Sequence, residues 1–341
     1  MGTYNCFFFS GQRMPNTLKF ALATLLLPTA ALANDGVAAV GVGGIVFGKT
    51  DAIAMKKEVL TISYDKISVD YEFLNESSKD VEETIVFPLP PYSAVILPSN
   101  AYYGEPNGFS IQVDGKPVTF TSRISALTQE GKDVTAQLKK LGLNDTQIAN
   151  PSVFASGDDS TPPGLSEGQI AALVELGLWS EAPEGPGWMA KVDYIWTQKF
   201  AANKLVRVHH EYRPFVAAGS GSAMYDDAAQ FQKNYCVEPG FKAARAKTVG
   251  KKTYFDGLDV SYILTTGNTW KRGIEDFTLN IVKRAPDELV SLCFPGTLKK
   301  IDPLTFRSHM SNFRPAQDLR IHFGNVVDPF KNSGVMPKVS H

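Results

Sequence analysis

Between residues 67 and 74 the side chains alternate without a break. Ile67, Val69, Tyr71 and Phe73 fall on one face, and Ser68, Asp70, Glu72 and Leu74 on the other. A period of two is what a strand with one buried face requires, and it is incompatible with the three-to-four spacing of an amphipathic helix. The pattern returns at 109–113 and again at 205–213. There Val206, Val208, His210 and Tyr212 share one face, and Arg207, His209, Glu211 and Arg213 the other. Turn chemistry separates these runs. Pro88-Leu89-Pro90-Pro91 closes a strand at 84–87, because proline cannot donate to a ladder. Asp114-Gly115 is a hairpin signal leading into 118–120. Further strands are predicted at 258–265, 277–283, 288–293 and 319–323. The fold class that follows is mainly β: an antiparallel β-sandwich with a helical insertion and a β-rich C-terminal part.

The insertion is set at 124–187. Asp133 caps a predicted helix over 134–140, and Ser166 with Gln169 makes a capping box ahead of a second helix over 170–176. Both end alike, in Leu141-Gly142-Leu143 and Leu176-Gly177-Leu178. Each fits a stop with glycine in the left-handed conformation and the following leucine folded back. A Pro-, Gly- and Ser-rich loop at 150–164 lies between them. Asp226 and Asp227 precede a helical stretch through Tyr235, and 241–246 suggests another short helix.

The N-terminus carries an export pattern. Met14 is followed by Lys19, an apolar run at 20–27, and Ala31-Leu32-Ala33 as a small-x-small cleavage site. The run is too short to span a bilayer, which takes roughly 20 residues. Cleavage is expected after Ala33, sending a soluble chain starting at Asn34 to the periplasm or the exterior. The chain is thus divided into a leader and signal at 1–33, a sandwich at 34–218 and a C-terminal region at 219–341. Of three cysteines, Cys6 falls in the leader. Cys236 and Cys293 remain, and parity in an oxidising compartment predicts a disulfide between them.

A formal net charge of −1 gives no electrostatic footprint for nucleic acid. There is no Gly-x-Ser-x-Gly elbow, no phosphate loop and no metal-ligand spacing, so neither cofactor nor metal is predicted. The polar residues that chemistry could use are few. His209 and Glu211 are neighbours on one strand face and could act as a base with its orienting carboxylate, or share a metal. The plainer reading is a solvated charged face on which Arg207 and Arg213 pair with Glu211. His210, among apolar neighbours, reads as a hydrogen-bonded core residue. Asp226 and Asp227 could be paired carboxylates or ordinary helix caps. Trp179, Trp188, Trp196 and Trp270 could stack on sugars or fill the core.

A resemblance is carried by several of these residues. The stretches 69–75 and 86–90, and the run 199–214, resemble the opening and closing strands of the vault protein inter-alpha-trypsin (VIT) module. The chain from Asn34-Asp35, through the Phe-Pro-Leu-Pro of 87–90, Tyr235-Cys236, Ser291-Leu292-Cys293 and Asn312-Phe313, more closely resembles the bacterial exported proteins filed as domain of unknown function 4424. That likeness implies a β-sandwich core with a helical insertion and no assigned catalytic residue. Two function classes stay open. One is a non-catalytic binding or assembly module that meets another envelope protein or a glycan. The other is a cell-envelope hydrolase using His209, Glu211, Asp226 and Asp227.

Overall fold

The computed structural model describes residues 35–41, 44–94, 109–149, 165–181, 184–218, 228–247 and 257–326. The first part of the chain supplies β1 (Gly36–Gly41), β2 (Gly44–Phe47), β3 (Ile53–Ile62), β4 (Ile67–Asn75), β5 (Val81–Pro88), β6 (Tyr92–Ser93), β7 (Ser110–Val113), β8 (Lys116–Pro117) and β9 (Thr121–Leu127). Three helices follow, α1 (Thr135–Lys140), α2 (Asp145–Ala149) and α3 (Glu167–Glu175). Then come the hairpin β10 (Trp179–Glu181) and β11 (Glu184–Pro186), and the strands β12 (Met189–Phe200), β13 (Leu205–Tyr212) and β14 (Val216–Ala218). Two short helices, α4 (Ala228–Tyr235) and α5 (Pro239–Ala246), lead to β15 (Leu258–Tyr262), β16 (Ile274–Val282), β17 (Leu289–Leu292), β18 (Lys299–Lys300), β19 (Thr305–Phe313) and β20 (Leu319–Gly324).

The chain is mainly β. Eight strands form the largest sheet in the order β18-β19-β16-β3-β4-β13-β7-β8. A six-stranded sheet is built around β5 and β12, and a four-stranded one runs β14-β15-β20-β17. One face of the eight-stranded sheet packs on the other two. Phe87 of β5 stacks near His210 of β13 at 5.2 Å, and Tyr64 meets Phe323 of β20 edge-on at 5.2 Å. Val69, Tyr71, Phe277, Tyr194, Val260 and Ile321 join one continuous core drawn from all three sheets. Burial of such side chains, each contributing roughly 1.5–3 kcal/mol, is the main force holding the sheets together.

Local signals account for much of this. Asp114 and Gly115 take positive φ values of 47° and 75°, as a tight hairpin between β7 and β8 requires. The second strand of that hairpin is 116–117, Val118 N–H still donates to the Ile111 carbonyl at 3.0 Å, and the next strand, β9, pairs in a different sheet. Ser166 accepts from the Gln169 backbone N–H while the Gln169 side chain returns to the Ser166 N–H, so the capping box is formed. Both Leu-Gly-Leu stops are also formed. The N–H of Leu143 donates to the Leu138 carbonyl at 3.1 Å and that of Leu178 to Leu173 at 2.8 Å, with Gly142 and Gly177 at positive φ. Leu138, Leu143, Leu173 and Leu178 meet with Trp188 in a second small core under β9. Within 124–187 the helices occupy 135–175; residues 124–127 belong to β9, and 179–186 form a hairpin.

One pairing departs from the antiparallel expectation. Strands β3 and β16 run parallel, with Met55 opposite Ile274 and Leu60 opposite Leu279. The eight-stranded sheet therefore joins segments from both sides of residue 218. Strands β1, β2 and β19 were not anticipated. The first two are Gly- and Ala-rich, and β19 carries Arg307, His309 and Asn312 among its apolar positions.

Candidate functional site

The second face of the eight-stranded sheet is open, and the alternation of its strands decides what it shows. Register places Asp70 opposite His209, Glu72 opposite Arg207, and Ser68 opposite Glu211. Val59 continues the row from Asp70, and Thr278 and His309 complete it. A shallow groove of about 420 Å³ lies along this face, walled by Lys57, Val59, Asp70, Glu72, Arg207 and His209.

His209 and Glu211 are brought together here, each already engaged. Asp70 Oδ1 lies 2.7 Å from His209 Nδ1, and Glu211 Oε1 lies 3.6 Å from His209 Nε2. Lys66 Nζ donates to Glu211 at 2.7 Å, and this contact holds the Glu211 carboxyl below the usual range. Arg207 pairs with Glu72 at 3.2 Å rather than with Glu211, because opposite positions of adjacent strands lie nearer than positions four residues apart on one strand. On the same sheet His309 pairs with Asp276 at 2.9 Å, and Arg307 donates to Asn280 at 2.7 Å. The surface is a lattice of mutually compensated charges. Chemically, such a lattice offers fixed donors and acceptors to a polar partner. Asp226 and Asp227 lie outside the described residues. Among the described residues no three His, Cys, Asp or Glu side chains stand close enough to hold a metal ion.

The remaining candidates sort by burial. His210 is fully buried, with its Nε2 2.9 Å from Asp35 Oδ2, and burial pushes the Asp35 carboxyl up. Trp270 donates to the Asp35 carbonyl at 2.7 Å, and Trp188 to the Ile148 carbonyl at 2.9 Å. Trp188, Trp196 and Trp270 are core residues and Trp179 is half-buried, so the four make no stacking platform. Cys236 and Cys293 form a disulfide with Cα atoms 4.9 Å apart.

Two polar groupings escaped the reading of the sequence. His322 is buried with its Nδ1 2.8 Å from Asp259 Oδ1. Alternation along β20 puts His322 on the polar face, which reads as solvated; only the helices above it show otherwise. Glu288 receives the Tyr64 hydroxyl at 2.6 Å and the Arg284 backbone N–H at 2.8 Å, while Lys283 Nζ donates to the carbonyls of Pro286 and Glu288. Burial lowers the Lys283 pKa, but both its bonds go to backbone, so it clasps the 283–288 turn.

A family model described as domain of unknown function (DUF4424) matches residues 33–322. No curated protein matches the sequence. Among solved structures, the chain is similar to a Legionella pneumophila protein provisionally described as a nutrient binding protein, at 13% identity and a TM-score of 0.43, covering 86% of this chain and 70% of that one. It is also similar to yeast LTA4 hydrolase in complex with bestatin, at 12% identity and a TM-score of 0.30, covering 80% of this chain and 29% of the hydrolase. Native yeast LTA4 hydrolase gives 9% identity and a TM-score of 0.25. Likenesses at these scores carry no argument about activity.

Proposed function

Since the chain belongs to the family described as domain of unknown function (DUF4424), a description that carries no activity, we propose that it is an exported, non-catalytic binding module that docks a partner on the open face of its eight-stranded sheet. The observation that carries this reading is the charge lattice of that face. His209, Glu211, Arg207 and Asp70 each stand beside a complementary group, which fixes a patterned polar surface and suits complementary docking. The outward positions of β3, β4, β13, β16 and β19 carry no Phe, Tyr or Trp among the described residues, so a folded protein of the bacterial envelope fits better than a glycan, which stacks best on such rings. The VIT-like stretches 69–75 and 199–214 include most of β4 and β13, the strands at the centre of this surface, and the likeness is interrupted by the helices between them.

Export is part of the reading. The signal pattern ends at Ala33, and the family match begins at that same residue. No helix among the described residues is long and apolar enough to cross a membrane. Sequencing the N-terminus of protein recovered from the periplasm should give Asn34 first, and a retained Met14 would sink the export argument.

The docking face is tested by affinity capture from envelope extracts with wild type and a Lys57→Ala, Arg207→Ala, His209→Ala variant. Wild type should retain a partner protein that the variant loses, and retention should weaken as salt screens the exposed charges. Identical partners on both baits would overturn the assignment, and saturable glycan binding by the same face would move it from a protein to a carbohydrate ligand.

A further inference from the structure

Strands β15 and β20 alternate as half-exposed strands do. Leu258, Val260 and Tyr262, with Leu319, Ile321 and Phe323, face the main core. Asp259, Ser261, Arg320 and His322 face the other way. Ser291 of β17 lies opposite His322, so Asp259, His322 and Ser291 form one row across three strands. A face of this composition suits water. Ser261 and Arg320 are indeed exposed, yet His322 is fully buried. The cover is the pair α4–α5. The rings of Phe231, Tyr235 and Phe241 stand 4.8, 5.4 and 5.9 Å from the His322 ring. From below, Gly257 closes the ring edge so tightly that a Cβ there would lie 2.1 Å from it.

The cover is lightly built. Each helix has eight residues, and isolated helices shorter than about 12 residues are marginal in water. Phe231, Tyr235, Val237 and Phe241 form a small cluster of their own with Leu289, apart from the main core. Polar ties to the sheet include Ser291 Oγ, which donates to the Tyr235 carbonyl at 2.9 Å, and the Tyr235 hydroxyl, which bonds Asp259. The covalent tie is the disulfide. Cys236 follows α4 directly and Cys293 follows β17, so the bond pins the end of the cover to the edge of the sheet it covers. Cys236 is exposed at the lip of a groove of about 700 Å³ between α5 and β17, where a reductant can reach it.

We propose that the Cys236–Cys293 disulfide is a redox latch, which keeps α4–α5 closed over the Asp259–His322 row and which a dithiol reductant opens. A thiolate of the reductant attacks one sulfur of the bond, forming a mixed disulfide and releasing the other cysteine as thiolate. The second thiol of the reductant then displaces the first cysteine. Two electrons pass to the protein, which gains two thiols, and the reductant leaves as its own disulfide. Opening uncovers a sheet face that is already polar, and it presents Asp259, His322 and Ser291 together with the apolar sides of two helices. The two states differ by one bond and a small cluster, as a bistable element requires.

The test uses the intact exported chain with dithiothreitol and no denaturant. Both cysteines should become alkylatable, as read by mass spectrometry. Diethyl pyrocarbonate modification of His322 should accelerate at least about tenfold, a local opening, while that of exposed His309 stays constant. Hydrogen exchange should rise in 228–246 and remain unchanged in β3 and β4. A Cys236→Ser, Cys293→Ser variant should behave like the reduced wild type, and reoxidation of wild type should restore protection. The latch is overturned if the cysteines resist reduction until the whole fold melts. It is equally overturned if His322 stays as shielded in the reduced wild type or the serine variant as in the oxidised protein.

Discussion

Asp35 shows what a single residue contributes when its partner is far away in the chain. It stands at the mouth of β1, accepts Trp270 on its carbonyl and holds His210 with its carboxyl, all within the core. Removing one member of a buried ionisable pair leaves the other without compensation. Asp35→Ala should therefore destabilise by about 3–5 kcal/mol in urea unfolding. Adding His210→Phe should recover part of that loss, and strict additivity would refute the pairing. Glu76 gives the contrasting surface case. Arg272 grips both its oxygens and Lys271 Nζ sits 3.1 Å away, which together hold its carboxyl down at about 2 from an ordinary 4.5. A carboxyl lowered on folding stabilises above its unfolded pKa, and that stability disappears as pH falls from about 4.5 towards 2. Glu76→Gln should cost about 1 kcal/mol at neutral pH, as partly exposed pairs do. It should also flatten the loss of stability over that acid range. An unchanged acid limb in chemical denaturation at a series of pH values would contradict this.

Among the elements, the paired Leu-Gly-Leu helix ends isolate one physical term. Gly177 holds φ at 66°, and a Cβ added there would meet nothing within 4 Å. Any cost of Gly177→Ala is thus conformational, about 1 kcal/mol for forcing an L-residue into the left-handed region. Asn, which tolerates that region, should cost less than Ala. Thermal melts of the two variants give the order directly, and an Ala variant as stable as wild type would show that the left-handed conformation at 177 costs an L-residue nothing. Strand pairs obey the analogous rule of opposite neighbours. Asp70 meets His209 and Glu72 meets Arg207 because β4 and β13 are in that register, and shifting either strand by one residue would turn its own two polar side chains into the core.

At the scale of the molecule, the parallel pairing of β3 with β16 ties the first hundred residues to the last hundred. It places Leu279 and Ile281 beside Leu60 and Ile62 in the one core that three sheets share. A fragment of residues 34–218 would expose that edge of β3 and leave Tyr71 and Phe73 of β4 without Tyr262 and Trp270. It should fail to fold alone, giving little chemical-shift dispersion in NMR, whereas the whole chain should unfold in a single transition. A well-dispersed spectrum from the fragment would establish a boundary near 218 and weaken the case for one cooperative unit.

Local chemistry made a good part of this legible in advance. Alternation at 67–74 and 205–213 determines which side chains share a face. Asp114-Gly115 determines a turn, Ser166 and Gln169 a helix start, and Gly142 and Gly177 helix ends. These are interactions within a few residues, so the chain carries them wherever it goes. The Cys236–Cys293 bond was legible from parity alone, because only two cysteines follow Ala33. The tertiary structure decided the rest. Period two puts His209 on one face and His210 on the other, but it does not choose Asp70 for the first or Asp35, 175 residues away, for the second. His322 looks solvated by the same rule and is buried, because helices that lie elsewhere in the sequence close over it. Faces are set by backbone geometry within one strand. Partners are set by which strands pack together, and that follows from burying a common core.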